Sequence, residues 1–282
     1  MARKVQAVKQ SGAAYLKNHG VVNSAAEASQ ILSSLLNVSE QSLFFASDSL
    51  SDSVYEEFFQ RLTRRIAGEP LQQVIGYVDF LDCRIKINRS VLIPRQETEI
   101  LADLVVRRLR PLSLEGKTLL DLCTGSGCLA IAIKKKLPEV RVVAADISLE
   151  ALDMARMNAE ENGVRIDFFQ GDFFEPLRGE KFDFVVSNPP YISKLDYQEL
   201  DAQVSLYEPK GALLAGETGM EFYERFEREA LRYLNPTARV FFEIGFDQGK
   251  AIAALFSKSP WKKGVVEKDF ASHDRFFSLE IE

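Results

Sequence analysis

The sequence predicts an α/β protein in which a mostly parallel, doubly wound sheet follows a small helical domain. Apolar residues recur at helical spacing in the first 65 or so positions, and the period changes at Gly68-Glu69-Pro70. Beyond that point strand and helix patterns alternate, and the strands are apolar along their length, as expected for a parallel sheet covered on both faces. The chain has 282 residues, enough for two separate cores.

The N-terminal pattern predicts helices over 25–36 and 54–62, where apolar residues share one face. Ser24, with Glu27 three residues later, predicts a capping box at the start of the first helix. The segments 74–80 and 84–87 predict the two strands of a hairpin. We therefore expect a helical domain over 1–69, a β-hairpin linker over 70–92 and an α/β domain over 93–282.

The alternation in the third segment predicts its elements in order. We expect helices over 97–109, 129–137 and 149–161. We expect strands over 118–122, 140–146, 167–169, 182–186 and 239–244, and a late strand over 276–281 that can run antiparallel.

A loop with two glycines, Cys123-Thr124-Gly125-Ser126-Gly127, follows the first strand of this sheet. Ligands of open α/β sheets bind at that carboxyl edge, and glycine lets the backbone turn tightly beside a ligand. The loop is neither the dinucleotide GxGxxG pattern nor a Walker A loop, because it lacks the third glycine and the Gly-Lys-Ser/Thr. The glycine pair alone is consistent with a nucleotide-type site or a tight turn.

Acidic residues after the next two strands narrow this choice. Asp146 ends the second strand, about 20 residues after the glycine loop. At this position a carboxylate can accept the ribose hydroxyls of a bound adenosine. Its alternative role is an N-cap of the helix that starts at Leu149. Asp172 and Phe173 follow the third strand and are suited to holding an adenine, although Phe173 alone reads more readily as a core aromatic. The three sites in this order resemble the class I S-adenosylmethionine methyltransferase fold.

The tetrapeptide Asn188-Pro189-Pro190-Tyr191 follows the strand over 182–186. Its prolines make a rigid loop with free carbonyls. These residues suit a substrate whose reacting atom is a side-chain amide nitrogen. Such a nitrogen is a poor nucleophile because its lone pair is delocalised into the carbonyl. Hydrogen-bond acceptors for its two hydrogens let the lone pair localise and face a methyl donor. The Asn188 side-chain carbonyl and the Pro189 main-chain carbonyl can supply them, while Tyr191 packs on the amide plane.

The chain resembles the release-factor glutamine methyltransferases, also known as HemK or PrmC proteins, over nearly its whole length. The most specific matches are Leu92-Ile93-Pro94-Arg95-Gln96-Glu97-Thr98-Glu99, Asp121 to Gly127, and Asn188 to Tyr191. The resemblance implies methylation of the side-chain amide nitrogen (N5) of the glutamine in the Gly-Gly-Gln motif of class I peptide chain release factors. It also implies S-adenosyl-L-methionine as methyl donor, S-adenosyl-L-homocysteine as product, and a helical N-terminal domain that assists partner recognition.

These observations define a predicted site. The predicted cofactor-binding residues are Cys123, Thr124, Gly125, Ser126, Gly127, Asp146, Asp172, Phe173 and Asn188. Catalysis is assigned to Asn188, Pro189 and Tyr191, and substrate binding to Asn188, Pro189, Pro190 and Tyr191.

Several residues depart from the family pattern or allow two roles. Cys123 stands where the family usually has glycine, Phe173 where tryptophan is frequent, and Gln73 where tyrosine is frequent. The charged residues Arg95, Glu97 and Glu99 either charge and cap the helix over 97–109 or line a substrate channel.

Composition indicates the compartment and the partners. The net charge is −6, from 35 Lys and Arg against 41 Asp and Glu, which favours a protein or small-molecule substrate over direct nucleic-acid binding. The three cysteines include no CxxC pair, and His19 and His273 are isolated, so no disulfide framework or metal site is expected. No apolar run spans a bilayer and Met1–Gln6 begins no secretory signal, so we expect a cytoplasmic protein without membrane contact.

Two other functions compete with this one. A nucleic-acid amino methyltransferase would flip an adenine (N6) or guanine (N2) onto the same tetrapeptide; the acidic balance and the Ile-Pro-Arg block argue against it. A non-catalytic module would bind S-adenosylmethionine and a ribosomal partner, against which the intact tetrapeptide argues.

Overall fold

The computed structural model describes residues 3–45 and 49–281, except the side chain of Lys263. The predicted domain 1–69 therefore includes residues 1, 2 and 46–48, which lie outside the described residues, as does the start of the segment Met1–Gln6. The chain forms two compact units. One runs to Tyr77 and includes Asp201–Tyr207, and the other comprises Val78–Leu200 and Glu208–Glu282.

The elements are numbered in chain order. The helices are α1 (Val5–Asn18), α2 (Ser24–Leu36), α3 (Glu40–Phe45), α4 (Asp52–Ile66), α5 (Leu71–Ile75), α6 (Gln96–Leu109), α7 (Cys128–Lys136), α8 (Leu149–Glu161), α9 (Lys194–Gln198), α10 (Ala202–Tyr207), α11 (Glu221–Glu229) and α12 (Gly249–Leu255). The strands are β1 (Tyr77–Phe80), β2 (Cys83–Lys86), β3 (Thr118–Leu122), β4 (Arg141–Asp146), β5 (Asp167–Gln170), β6 (Phe182–Ser187), β7 (Ile192–Ser193), β8 (Leu214–Gly216), β9 (Leu234–Glu243), β10 (Trp261–Lys268) and β11 (Asp274–Ile281).

The helical unit is built around one apolar core from α1, α2 and α4, in which Leu16, Ile31 and Phe58 are fully buried. The predicted capping box at Ser24 is wrong. Asn23 holds the N-cap position of α2 without a side-chain bond, and Ser24 is the first helical residue. The Glu27 carboxylate accepts from Arg65 of α4 at 2.6 Å and not from a backbone N–H at the start of α2.

The linker begins with a helix, so the strand predicted from residue 74 is wrong at its start. Val74 and Ile75 belong to α5, which Gly76 ends with a φ of 94°. Val74 contributes its side chain to the helical core, which overrides the strand-like pattern. The strands β1 and β2 follow as a two-stranded sheet. Gln73 is buried, and its Nε2 donates to the Tyr207 carbonyl at 2.8 Å.

The second unit contains a seven-stranded sheet in the order β10-β11-β9-β6-β3-β4-β5. The strands β9, β6, β3, β4 and β5 are parallel, whereas β11 pairs antiparallel with β9 and with β10. The predicted fold class and the late antiparallel strand are confirmed. The pattern analysis missed β10, because its charged residues interrupt the apolar alternation that identifies a strand.

Alternate residues of the sheet enter two apolar cores, one on each face. Leu119 and Phe184 pack with residues of α6, α7 and α8, whereas Leu120 and Val185 pack with residues of α11 and α12. The result is a three-layer arrangement in which the carboxyl ends of the five parallel strands share one edge of the sheet. Across residues 3–45 and 49–281, no helix has both the length and the apolar character needed to cross a membrane.

Candidate active site

A cavity of about 410 Å³ opens at this carboxyl edge. The structure brings nearly all of the sequence-predicted site residues together around it. Gly127, Pro189 and Tyr191 are the exceptions, since they are not part of the lining. Arg95, Glu97 and Glu99 are also outside the lining, whereas their neighbour Thr98 belongs to it.

The glycine loop is held from beneath by a buried carboxylate. Asp121 is fully buried, and its Oδ2 accepts from the Thr124 hydroxyl at 2.6 Å and from the Ala130 N–H at 3.1 Å. Burial raises the pKa of Asp121 to about 7 despite these hydrogen bonds. Gly127 has a φ of 82°, and a Cβ there would lie 3.1 Å from that of Ala155, so this glycine permits close helix packing.

Asp146 ties the loop to the second strand. Its Oδ2 accepts from the Gly125 N–H at 2.9 Å, and its Oδ1 accepts from the Ser148 N–H at 2.9 Å. Burial raises the pKa of Asp146, partly offset by these amides. The alternative role as N-cap of α8 is wrong, because Ser148 occupies that position and accepts from the Ala151 N–H.

The wall after the third strand is an aromatic ring with a basic neighbour. The Asp172 carboxylate accepts from Arg225 at 2.8 and 2.9 Å, and the guanidinium carbon of Arg225 lies 4.5 Å from the centroid of the Phe173 ring. Phe173 itself packs edge-on against Phe174 and Phe222. Sequence reasoning missed Arg225 and Phe222, because α11 comes to this cavity only through the tertiary fold.

Cys123 occupies the left-handed region, with a φ of 64°. A non-glycine side chain there carries steric strain. Burial raises the pKa of the Cys123 thiol well above its usual value, and the Asp146 and Asp121 charges add to the shift. The thiol is therefore neutral and poorly nucleophilic at pH 7.

We expect Cys123→Val to lower the free energy of unfolding by about 1–3 kcal/mol relative to Cys123→Ala, since a β-branched residue fits the left-handed region worst. Cys123→Gly, which relieves the strain, is the matched control and should melt at or above the temperature of Cys123→Ala. Equal melting temperatures for Val and Ala would argue against the positive φ.

The tetrapeptide after β6 is anchored by a buried hydrogen-bonded chain. Asn188 Nδ2 donates to the Thr98 hydroxyl at 3.0 Å, and the Thr98 hydroxyl donates to Glu243 Oε2 at 2.8 Å. The Tyr191 hydroxyl donates to Glu243 Oε1 at 3.3 Å. Because Nδ2 is bound to Thr98, Oδ1 is the Asn188 atom left to accept a hydrogen bond at the cavity.

Glu243 is a further functional candidate that was not predicted from the sequence. It ends β9, is 1% exposed, and has a pKa raised to about 7 by burial. The sequence does carry one indication of it, which is a charged residue inside the apolar run Phe241-Phe242-Glu243-Ile244. Burying a carboxylate is costly, so a buried carboxylate usually has a hydrogen-bonding or charged partner.

Other contacts brace the same loop. Gln248 Nε2 donates to the Tyr191 carbonyl at 2.9 Å and to the Gly219 carbonyl at 3.0 Å. Arg95 pairs with buried Glu208, whose Oε2 also accepts from the Ile93 N–H at 2.9 Å. The charge of Arg95 thus fixes the Ile-Pro-Arg segment to the segment before β8.

The two histidines lie outside the cavity. His19 and His273 lie on exposed segments away from the cavity lining. Among the residues that the structure describes, no three His, Cys, Asp or Glu side chains are grouped to hold a metal ion.

The sheet order, the glycine loop and the acidic residues at successive strand ends define a class I methyltransferase. Residues 95–214 match the family model of the methyltransferase small domain, and residues 7–76 match that of the PrmC N-terminal domain. The chain is 36% identical to the release factor glutamine methyltransferase of Thermodesulfovibrio yellowstonii, over 90% of this chain and 91% of that protein. It is 38% identical to the one of Chlamydia trachomatis, over 94% of this chain and 90% of that protein. The chain belongs to the release factor glutamine methyltransferase family.

A solved structure supports the fold independently. The hMettl16 catalytic domain, in complex with MAT2A 3′UTR hairpin 6, matches with a TM-score of 0.57 over 82% of each chain. The two sequences are 16% identical, so the likeness concerns the fold alone.

Proposed function

We propose that this chain transfers a methyl group from S-adenosylmethionine to the side-chain amide nitrogen (N5) of the glutamine in the Gly-Gly-Gln motif of class I release factors. The observation that carries the proposal is the hydrogen bond from Asn188 Nδ2 to the Thr98 hydroxyl, which leaves the side-chain carbonyl of this cavity-lining residue as an acceptor. Membership of the family supports the choice of substrate.

The residues of the cavity fit this cofactor. Its volume of about 410 Å³ lies within the range of about 300–1,000 Å³ typical of small-molecule sites. Asp146, Asp172 and Glu221 line it, and Glu221 Oε2 is buried without a hydrogen-bond partner, which suits a ligand that carries positive charge. The Asp146 carboxylate would accept the ribose hydroxyls and the Phe173 ring would face the adenine.

The catalytic role falls to the tetrapeptide. When bound, S-adenosylmethionine supplies an electrophilic methyl group on a cationic sulfonium. Asn188 Oδ1 and the Pro189 carbonyl accept the two hydrogens of the glutamine amide, which turns its lone pair towards that methyl group. Both carbonyls also stabilise the positive charge that grows on the nitrogen, and Tyr191 and Pro190 flank the amide.

The helical domain over 1–69 serves recognition of the release factor, the hairpin linker spans 70–92, and the methyltransferase domain spans 93–282. The protein acts in the cytoplasm, on translation termination, without a metal and without direct contact to nucleic acid or membrane. The net charge of −6 and the three cysteines without a CxxC pair support this assignment.

Methyl-labelled S-adenosylmethionine, the purified chain and a purified release factor should give a labelled factor, while a factor with Gln→Ala in the tripeptide should stay unlabelled. A short Gly-Gly-Gln peptide should be a poorer substrate than the intact factor, because it lacks a surface for the helical domain. Label on the Gln→Ala factor would refute the assigned atom, and equal efficiency for peptide and factor would refute the role of that domain.

The alternative is adenine N6 or guanine N2 methylation of a nucleic acid on the same tetrapeptide. Transfer RNA and single-stranded DNA incubated under the same conditions test it directly. Labelled nucleic acid with an unlabelled release factor would favour this alternative.

A further inference from the structure

The chain of hydrogen bonds behind Asn188 joins three elements that are distant in sequence. Thr98 lies in the first turn of α6, Glu243 ends β9, and Asn188 follows β6. Thr98 is 2% exposed and Glu243 is 1% exposed, so the bond between them is enclosed by protein. In such a region of low dielectric, the partners of each polar group set the direction of its hydrogen bonds.

We propose that Glu243, acting through the Thr98 hydroxyl, is a positioning residue that determines which atom of the Asn188 amide is presented to the substrate. The inference rests on the proposed function, since it assigns Asn188 Oδ1 as the acceptor for the glutamine amide. Neither Glu243 nor Thr98 touches the reacting atoms in this assignment.

The direction of each hydrogen bond in this chain follows from the charge on Glu243. An ionised carboxylate can only accept, so the Thr98 and Tyr191 hydroxyls must both point their hydrogens at Glu243. The Thr98 oxygen is then left as an acceptor, and Asn188 satisfies it only with its NH₂ group. Nδ2 and Oδ1 of asparagine have nearly the same shape, so packing alone does not select between the two orientations.

When Glu243 is protonated, the Thr98 hydroxyl no longer has to donate to it, so the orientation of the Asn188 amide is no longer fixed. A protonated carboxyl can donate to Thr98, whose hydroxyl hydrogen is then free to turn towards Asn188. The amide can respond by rotating its carbonyl to Thr98 and its NH₂ to the cavity, where it repels the N–H groups of the substrate. Turnover should therefore require ionised Glu243.

The charge state of Glu243 depends on groups from several elements. Burial raises its pKa to about 7, while Arg275 of β11, Thr98 and Tyr191 lower it and Glu97 of α6 raises it. The Tyr223 hydroxyl bonds the Glu243 main-chain carbonyl at 2.8 Å, and Cys128 stays neutral because burial raises its pKa to about 12. Since the carboxyl ionises above its pKa, kcat should rise with pH through about 7.

Single-turnover rates with saturating S-adenosylmethionine and intact release factor test the first link. Thr98→Val keeps the shape but removes the hydroxyl, and should lower kcat by about 10- to 100-fold, the scale of misplaced catalytic groups. Thr98→Ser restores the hydroxyl and should recover the rate to within about threefold of wild type. Both variants should bind the cofactor within about threefold of wild type, which calorimetry measures.

The pH dependence tests the second link. Glu243→Gln should lower kcat and abolish its rise through about pH 7, because the substituted side chain does not titrate. Asp121, whose pKa is also raised to about 7, is present in both enzymes, so a pH dependence that it causes would persist in Glu243→Gln. A Glu243→Gln enzyme that keeps the wild-type pH profile of kcat would overturn the proposal, as would full activity of Thr98→Val.

A measurement without turnover separates this inference from the proposed function. In the ¹⁵N spectrum of the protein, the side-chain NH₂ signal of Asn188, identified by its loss in Asn188→Ser, should shift with pH through about 7. The shift should be absent in Glu243→Gln. If the Asn188 signal responds neither to pH nor to Glu243→Gln, the inference is wrong. If the wild-type protein shows the shift but methylates no release factor, only the proposed function is wrong.

Discussion

Replacing Asn188 with alanine should lower kcat on the order of 10²-fold or more, the loss found when one preorganised polar group is removed from a site that stabilises developing charge. The substitution removes Oδ1 at the cavity while Pro189 and Pro190 still hold the loop. Affinity for S-adenosylmethionine should fall far less, because the cofactor contacts proposed for the glycine loop, Asp146 and Phe173 are left in place. Single-turnover kinetics and calorimetry measure the two effects separately.

Asn188→Asp is the harder test of the same idea. It keeps an acceptor and adds negative charge beside the sulfonium, which favours cofactor binding, but it has no NH₂ group to donate to Thr98. We expect a smaller loss of turnover than for Asn188→Ala. Wild-type transfer rates in Asn188→Ala would contradict the catalytic role of this residue.

Asp146→Ala should weaken S-adenosylmethionine binding by about 1.5–3 kcal/mol, the scale of lost charge-assisted hydrogen bonds. This corresponds to about 10- to 150-fold in Kd. The carboxylate has two effects here, because it would accept the ribose hydroxyls and it already accepts from the Gly125 N–H of the loop. Calorimetry on the purified variant measures the change.

Asp153→Ala is the matched control, since it removes an equal charge from an exposed position of α8, where Asp153 pairs with Arg156 at 2.8 Å. Its cofactor affinity should match wild type within about twofold, because exposed pairs contribute little. Unchanged affinity in Asp146→Ala would exclude this residue from the ribose site, and an equal loss in both variants would point to net charge as the cause.

Local patterns predicted the sheet well and the short-range details of the helical unit poorly. The helix over 149–161 begins and ends at the predicted residues, and β3 spans the predicted 118–122. These elements have strong periods and clear flanking signals. The capping box at Ser24 failed because Arg65, 38 residues from Glu27 along the chain, competes for the same carboxylate.

The supporting residues of the site were beyond sequence reasoning. Thr98 and Glu243 are 145 residues apart, and Arg225 is 53 residues from Asp172. No spacing rule links such positions, because their meeting depends on the order of strands in the sheet.

The sequence by itself determined the fold class, the family, and the residues at the strand ends, since a glycine loop, an acidic strand end and an Asn-Pro-Pro-Tyr tetrapeptide are contiguous signals. Only the tertiary structure decided which atom of Asn188 is left at the cavity, that Ser148 rather than Asp146 caps α8, and that Glu243 is buried behind the tetrapeptide. Hydrogen-bond direction and burial are properties of neighbours in space, and the chain supplies those neighbours from α6, β6 and β9 only once the sheet has formed.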